Sequence, residues 1–304
     1  MEITTALTLE IGRLRQPIVT SYQLGCLIFK LYQTKTYQGE KLARLQKDLP
    51  ERLEYKRVVN TLLGNGVLQH SKELSNQEIY TVLGQDAAAE DIVCCIDPFC
   101  YISHLSAMVY HGLTERLPKM LFITTLPHPQ WGQLAIQRMQ KDLGETAVTL
   151  YQEAALTSLH RLKINKIQRK TINVYTTLHC DPGSYLIVQG RIMRVATIGR
   201  TFLDMLREPE LCGGIYHVLE IYAAHAQRYL RLIIDVINRH GTKIDKVRAG
   251  YILDERLGLL HPIIDSWLEF AQRGGSRKLL ANAPYSSRFS EKWCLSINIE
   301  EEEV

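Results

Sequence analysis

The sequence predicts a mixed α/β (α+β) protein, with a small helical unit closed by a two-stranded ribbon and then a larger α/β domain. Three observations predict it. Residues 1–84 carry runs of apolar residues at helical spacing, followed by two short β-type runs. A short polar stretch, Gln85–Asp91, separates them from the rest. Beyond it, helix-type and strand-type patterns alternate. The domains are therefore expected at 1–84 and 92–304.

In the first unit, Leu7, Ile11 and Leu14 form one helical stripe ended by Pro17. Thr20 or Ser21 caps a second helix with Leu24, Leu27, Ile28 and Leu31 on one face. Gly39 breaks the chain, and Leu42, Leu45 and Leu49 predict a short helix stopped by Pro50. Over Glu51–Leu63, the positions Tyr55, Val58, Val59, Leu62 and Leu63 mark a buried helical face. Gly64-Asn65-Gly66 then supplies a helix stop before the strand Val67–His70. A turn at Ser75-Asn76 leads to a second strand, Ile79–Leu83. This is the order of a winged helix-turn-helix.

In the remainder, helices are expected at 103–110, 130–143, 198–206, 215–226 and 230–240. Strands are expected at 120–125, 171–177 and 185–188. Pro209 and Gly213-Gly214 punctuate the helical half, and the acidic 300–303 run reads as a frayed tail.

The 304 residues are 46% hydrophobic and 22% charged, so a disordered chain is excluded. Apolar runs such as Ile92–Ile96 fall far short of the roughly 18 residues of a spanning helix, so no membrane association is expected. Met-Glu-Ile-Thr-Thr does not read as a signal peptide. Seven cysteines without a CxxC pair suit reduced thiols in the cytoplasm, not disulfides or zinc.

The net charge of +4 is unevenly spread. Residues 1–83 carry +3, 84–157 carry −4, 158–200 carry +7 and 201–304 carry −2. The basic block contains Arg161, Lys163, Lys166, Arg169, Lys170, Arg191, Arg194 and Arg200. Such a block is either a second polyanion surface, taking DNA, RNA or an acidic protein, or a solvated strand face.

On Glu51–Leu63 the face opposite the apolar stripe carries Lys56, Arg57 and Asn60, with Arg52 near the start. Arg and Lys suit guanine and phosphate, and Asn suits adenine. The preceding segment offers Lys41, Arg44 and Lys47 for backbone phosphates, and the ribbon tip offers His70 and Lys72. Lys41, Arg44, Arg52, Lys56, Arg57, Asn60 and Lys72 are thus the expected contacts to double-stranded DNA. The competing reading is an ordinary solvated helix face, or a winged helix that binds only protein.

No catalytic residues, metal or cofactor are expected. GxxxxGK[ST], GxGxxG, HExxH and GxSxG are all absent. His104 and His111 read as packed histidines rather than ligands. In His179-Cys180-Asp181, neighbours in sequence point apart, so a triad is not expected. Glu54-Tyr55-Lys56 has a nuclease-like spacing but lies on a helix, and Gly274-Gly275-Ser276 lacks a following Asp-x-Asp for metal ions. An enzyme acting on nucleic acid remains the alternative.

The second half resembles a known family. Asp97–Ser103 followed by His104-Leu105-Ser106-Ala107-Met108-Val109-Tyr110-His111-Gly112-Leu113-Thr114 is similar to a segment of AbiEi-type antitoxins. So is Arg200-Thr201-Phe202-Leu203-Asp204-Met205-Leu206 with Pro209 and Gly213-Gly214-Ile215. Gly250-Tyr251-Ile252-Leu253-Asp254, Pro284-Tyr285 and Glu291-Lys292-Trp293 resemble later stretches. The resemblance covers most of residues 97–294. It implies a winged helix joined to a larger antitoxin domain, repression of the chain's own operon at promoter repeats, and neutralisation of a nucleotidyltransferase-type toxin in phage defence. Arg200 and Asp204, four apart, also suit a structural ion pair.

Overall fold

The structure is a computed structural model that describes residues 1–70, 74, 78–84, 87–180, 183–272 and 277–300. The chain opens with α1 (Ile3–Leu14), β1 (Ile18–Thr20) and α2 (Ser21–Thr34). The expected Thr20 cap is present, since its side chain accepts from the Gln23 amide and Gln23 answers at the Thr20 amide. A hairpin of β2 (Thr36–Tyr37) and β3 (Glu40–Lys41) follows. Gln38 and Gly39 both take positive φ in its two-residue turn. Then come α3 (Arg52–Gly64), β4 (Leu68–His70) and β5 (Ile79–Val82).

The short helix expected over 42–49 does not form. Arg44 sits in the left-handed region at φ 63°. The Leu42 amide bonds to Lys35 O and the Ala43 amide to Met1 O, which ties the start of the segment to the hairpin and to the chain's first residue. Eight residues before a proline also cannot sustain a helix without packing.

The later elements are α4 (Ala89–Ile96), β6 (Tyr101–Ile102), α5 (His104–Tyr110), β7 (Met120–Thr125), α6 (His128–Leu143) and α7 (Ala147–Glu153). β8 (Lys166–Ile167), β9 (Lys170–Thr176), β10 (Tyr185–Ile187), β11 (Arg194–Ala196) and α8 (Ile198–Arg207) follow. The last are α9 (Ile215–His240), α10 (Lys243–Gly250), α11 (Pro262–Ser266), β12 (Phe289–Ser290) and β13 (Leu295–Ser296). The helices expected at 215–226 and 230–240 are one 26-residue helix, because Gln227-Arg228-Tyr229 holds no residue that breaks it.

Packing divides the chain into two compact units, each built from separate stretches. The first comprises residues 1–101, 119–178 and 187–194. In it β1, β5 and β4 form an antiparallel sheet in that order. One core joins Leu7 and Ile11 of α1, Leu24 and Ile28 of α2, Val58, Val59 and Leu62 of α3, and Leu68 and Val82 of the sheet. The packing does not divide at 84–92. Tyr22, Cys26 and Phe29 on the other face of α2 pack with Met139 of α6 and Tyr151 of α7. The Tyr22 hydroxyl donates to Asp142 at 3.0 Å, and the Phe29 and Tyr151 rings meet edge-on at 5.5 Å. β7 pairs in parallel with β9 over six residues, Met120 opposite Thr171 through Thr125 opposite Thr176, and β8 closes onto β9 as a hairpin.

The second unit comprises 102–118, 179–186 and 195–304. Its core lies mainly between α8 and α9, with Phe202, Leu203, Leu206, Val218, Tyr222, Ile233 and Ile237 fully or almost fully buried. The Arg200–Asp204 pair forms inside it, with Nε 2.7 Å from Oδ1 and both side chains shielded from water. Gly213 and Gly214 take φ near 94° and 92°, which lets the chain turn from a 3-10 turn at Pro209–Cys212 into α9. α10 widens into a π-helical turn at Tyr251–Arg256, where Asp254 accepts from the Trp293 indole at 3.0 Å.

Candidate nucleic-acid interface

α3 is held at its start by the Glu54 carboxylate, which accepts from the Glu51 amide at 3.0 Å. Its inner face buries Val58, Val59 and Leu62. The outer face exposes Leu53, Lys56, Arg57 and Asn60, at the i, i+3, i+4, i+7 spacing of a single stripe, with Arg52 beside it. Arg52, Lys56 and Arg57 have no carboxylate within 4.0 Å among the described residues, so their charge is available to an external anion. Leu53 is 76% exposed on this stripe, and sequence reading passed over it. Its signal was present: an apolar residue three before Lys56 and outside the buried set.

The neighbouring cations differ. Lys41 ends β3 and is exposed. Arg44 is exposed in a turn, with Glu2 4.0 Å away. Lys47 is spent on Glu51 at 2.6 Å and Glu54 at 3.8 Å, where it offsets the acidic start of α3. His70, at the end of β4, lies against the Tyr80 ring at 5.3 Å. Lys72 lies outside the described residues.

The basic block is not one surface. Arg191 makes a two-pronged pair with Asp91, its Nη2 2.6 Å away. Arg194 donates to the carbonyls of Cys94, Cys100 and Asp97 at 2.7 to 2.9 Å, clamping the end of α4. Lys170 pairs with Glu90 at 3.1 Å. Arg200 is consumed by Asp204, the His179 carbonyl and the Ser184 hydroxyl. Arg161, Lys163, Lys166 and Arg169 have no carboxylate within 4.0 Å among the described residues, and of these only Arg161 is part-buried.

His104 and His111 are both held below the usual imidazole range by burial, and His111 is tied to the Ala196 carbonyl at 2.7 Å. Burial pushes the Cys95 thiol up to about 12 and Cys26 up to about 11, which keeps both protonated and unreactive. Asp181 and Gly274-Gly275-Ser276 lie outside the described residues. Among those described, no group of three or more His, Cys, Asp or Glu is arranged to hold a metal ion. No described helix is long and apolar enough to cross a membrane.

No protein-family model matches the chain, and no curated protein matches it. The chain is similar to the crystal structure of the RV2827C protein from Mycobacterium tuberculosis, with a TM-score of 0.47 and 11% identity. That similarity covers 96% of this chain and 90% of that one. A likeness at this level supports no functional argument.

Proposed function

We infer that the chain is a non-enzymatic transcriptional regulator that binds double-stranded DNA, of the AbiEi antitoxin type. Residues 1–84 act as a winged helix-turn-helix. α3 is the recognition helix and the β4–β5 ribbon is the wing. The observation that carries the reading is the outer stripe of α3, with Lys56 and Arg57, which have no carboxylate partner among the described residues, beside Asn60 over a buried Val58/Val59/Leu62 face. Lys and Arg serve phosphates and guanine, Asn serves adenine, and exposed Leu53 suits a thymine methyl. Lys41 and Arg44, both exposed, serve as backbone contacts. The resemblance of residues 97–294 to AbiEi antitoxins supplies the biological setting, in which the regulator represses its own operon in the cytoplasm and neutralises a nucleotidyltransferase-type toxin.

A gel-shift assay on the DNA upstream of its own reading frame tests the reading. The chain shifts that DNA in preference to scrambled sequence, and the Lys56→Ala/Arg57→Ala variant does not. Equal affinity of the variant would remove α3 as the reading helix. Co-expression with the product of a neighbouring nucleotidyltransferase frame tests the antitoxin part: growth arrest by that product is relieved by this chain.

A further inference from the structure

The first unit contains a cavity of about 270 Å³ that the DNA-binding reading does not use. Its floor is the β7–β9 sheet. Ile123 pairs with Val174 and Leu121 with Ile172, so Ile123, Ile172 and Val174 share one face, and all three line the cavity. Val93 of α4 and Leu162 and Ile164 of the 155–165 segment complete the apolar walls. Val174 remains 41% exposed, although it sits on a face whose other lining residues, Ile123 and Ile172, are buried.

The polar lining is asymmetric. Asp97 is buried, and its carboxylate is filled by three donors: the Trp131 indole and Phe99 amide on Oδ1, and the Thr125 hydroxyl on Oδ2. It anchors the wall and has little acceptor capacity left for a guest. Arg161, Lys163, His128 and Asn165 also line the cavity. Arg161 donates to the Leu126 carbonyl at 3.4 Å, and among the described residues neither Arg161 nor Lys163 has a carboxylate within 4.0 Å. Two cations against one buried, hydrogen-bonded carboxylate leave the lining net positive, and with the apolar walls this selects a guest with an apolar body and one anionic group. The volume lies just below the roughly 300–1,000 Å³ of ordinary ligand pockets, which limits the guest to about one ring.

We propose that this cavity binds a small carboxylate with a single-ring apolar body, its carboxylate on Arg161 and Lys163 and its ring against Ile123, Ile172 and Val174. Phosphate monoesters carry a second charge and a larger hydration shell, which two donors and apolar walls do not replace. The site does not depend on DNA binding, so either conclusion can fail alone.

Calorimetric titration of the full chain with benzoate tests it, with benzamide and inorganic phosphate as comparison probes. Benzoate binds, benzamide binds at least about tenfold more weakly for want of charge, and inorganic phosphate gives no saturable heat. Arg161→Gln and Lys163→Gln each weaken benzoate about tenfold, and Val174→Asp, at a part-exposed wall position, abolishes it. Circular dichroism confirms that each variant is folded, and Arg169→Gln, outside the lining, leaves affinity unchanged. The proposal is overturned if benzoate shows no saturable binding. It is equally overturned if Arg161→Gln and Val174→Asp bind as the parent does, or if inorganic phosphate binds as well as benzoate.

Discussion

Removing Asp204 leaves Arg200 charged inside a shielded core. The two side chains are 1% and 3% exposed and meet at 2.7 Å. Removing one partner of such a pair costs about 3–5 kcal/mol, mostly because the other charge stays buried and uncompensated. Arg200 also holds the His179 carbonyl at 2.6 Å and the Ser184 hydroxyl at 3.2 Å, contacts that soften the loss. Asp204→Ala should therefore fall near the lower end, about 3 kcal/mol. The double variant Arg200→Met/Asp204→Leu removes both charges and should recover about half of that loss, the remainder reflecting the lost hydrogen bonds from Arg200 to His179 and Ser184. Urea unfolding followed by tryptophan fluorescence in a Trp131→Phe background reads this unit, because Trp267 and Trp293 both lie in it and are buried. A cost below about 1 kcal/mol for Asp204→Ala would refute the reasoning. So would a double variant worse than the single one.

Three further predictions follow the same logic. Gly250→Ala drives a methyl group into the Trp293 ring, which is already pinned by Asp254, and should cost about 1–3 kcal/mol in thermal or urea unfolding. Asp97→Ala strands the donors of Trp131, Thr125 and Phe99 and should cost about 2–4 kcal/mol in urea unfolding read by circular dichroism. His104 and His111 are held below their unfolded value of about 6.5, so the unfolded chain takes up protons first as pH falls. The stability they contribute is full above that value and declines as pH drops through it towards their folded values. Urea midpoints should therefore fall between about pH 7 and 5, and His104→Gln should flatten the slope. A midpoint that rises on acidification would contradict the burial of both rings.

Local signals were legible where short-range physics decides. Thr20 caps α2, the Val58/Val59/Leu62 stripe buries α3, and β7 spans the expected 120–125. The Arg200–Asp204 pair also followed from spacing, since both ends lie on one helix. The segment expected as a helix at 42–49 turns instead through left-handed Arg44 and is tied to Lys35 and Met1, partners that spacing along the segment does not reveal. The basic block dispersed for a similar reason. Asp91 lies 100 residues before Arg191, and the carbonyls that hold Arg194 lie 94 to 100 residues away, so composition counted charges that tertiary contacts had already used. The Val174 cavity needed the β7–β9 register, which neither strand carries alone.

The most direct test of the central claim is the salt dependence of binding to the chain's own upstream DNA. The logarithm of affinity should fall steeply and linearly with the logarithm of salt concentration. In Lys56→Ala/Arg57→Ala the slope should shrink by about 1 to 2, roughly 0.9 for each phosphate no longer neutralised. A slope near zero for the parent chain, or an identical slope and affinity in the variant, would contradict the assignment of α3 as the helix that meets DNA.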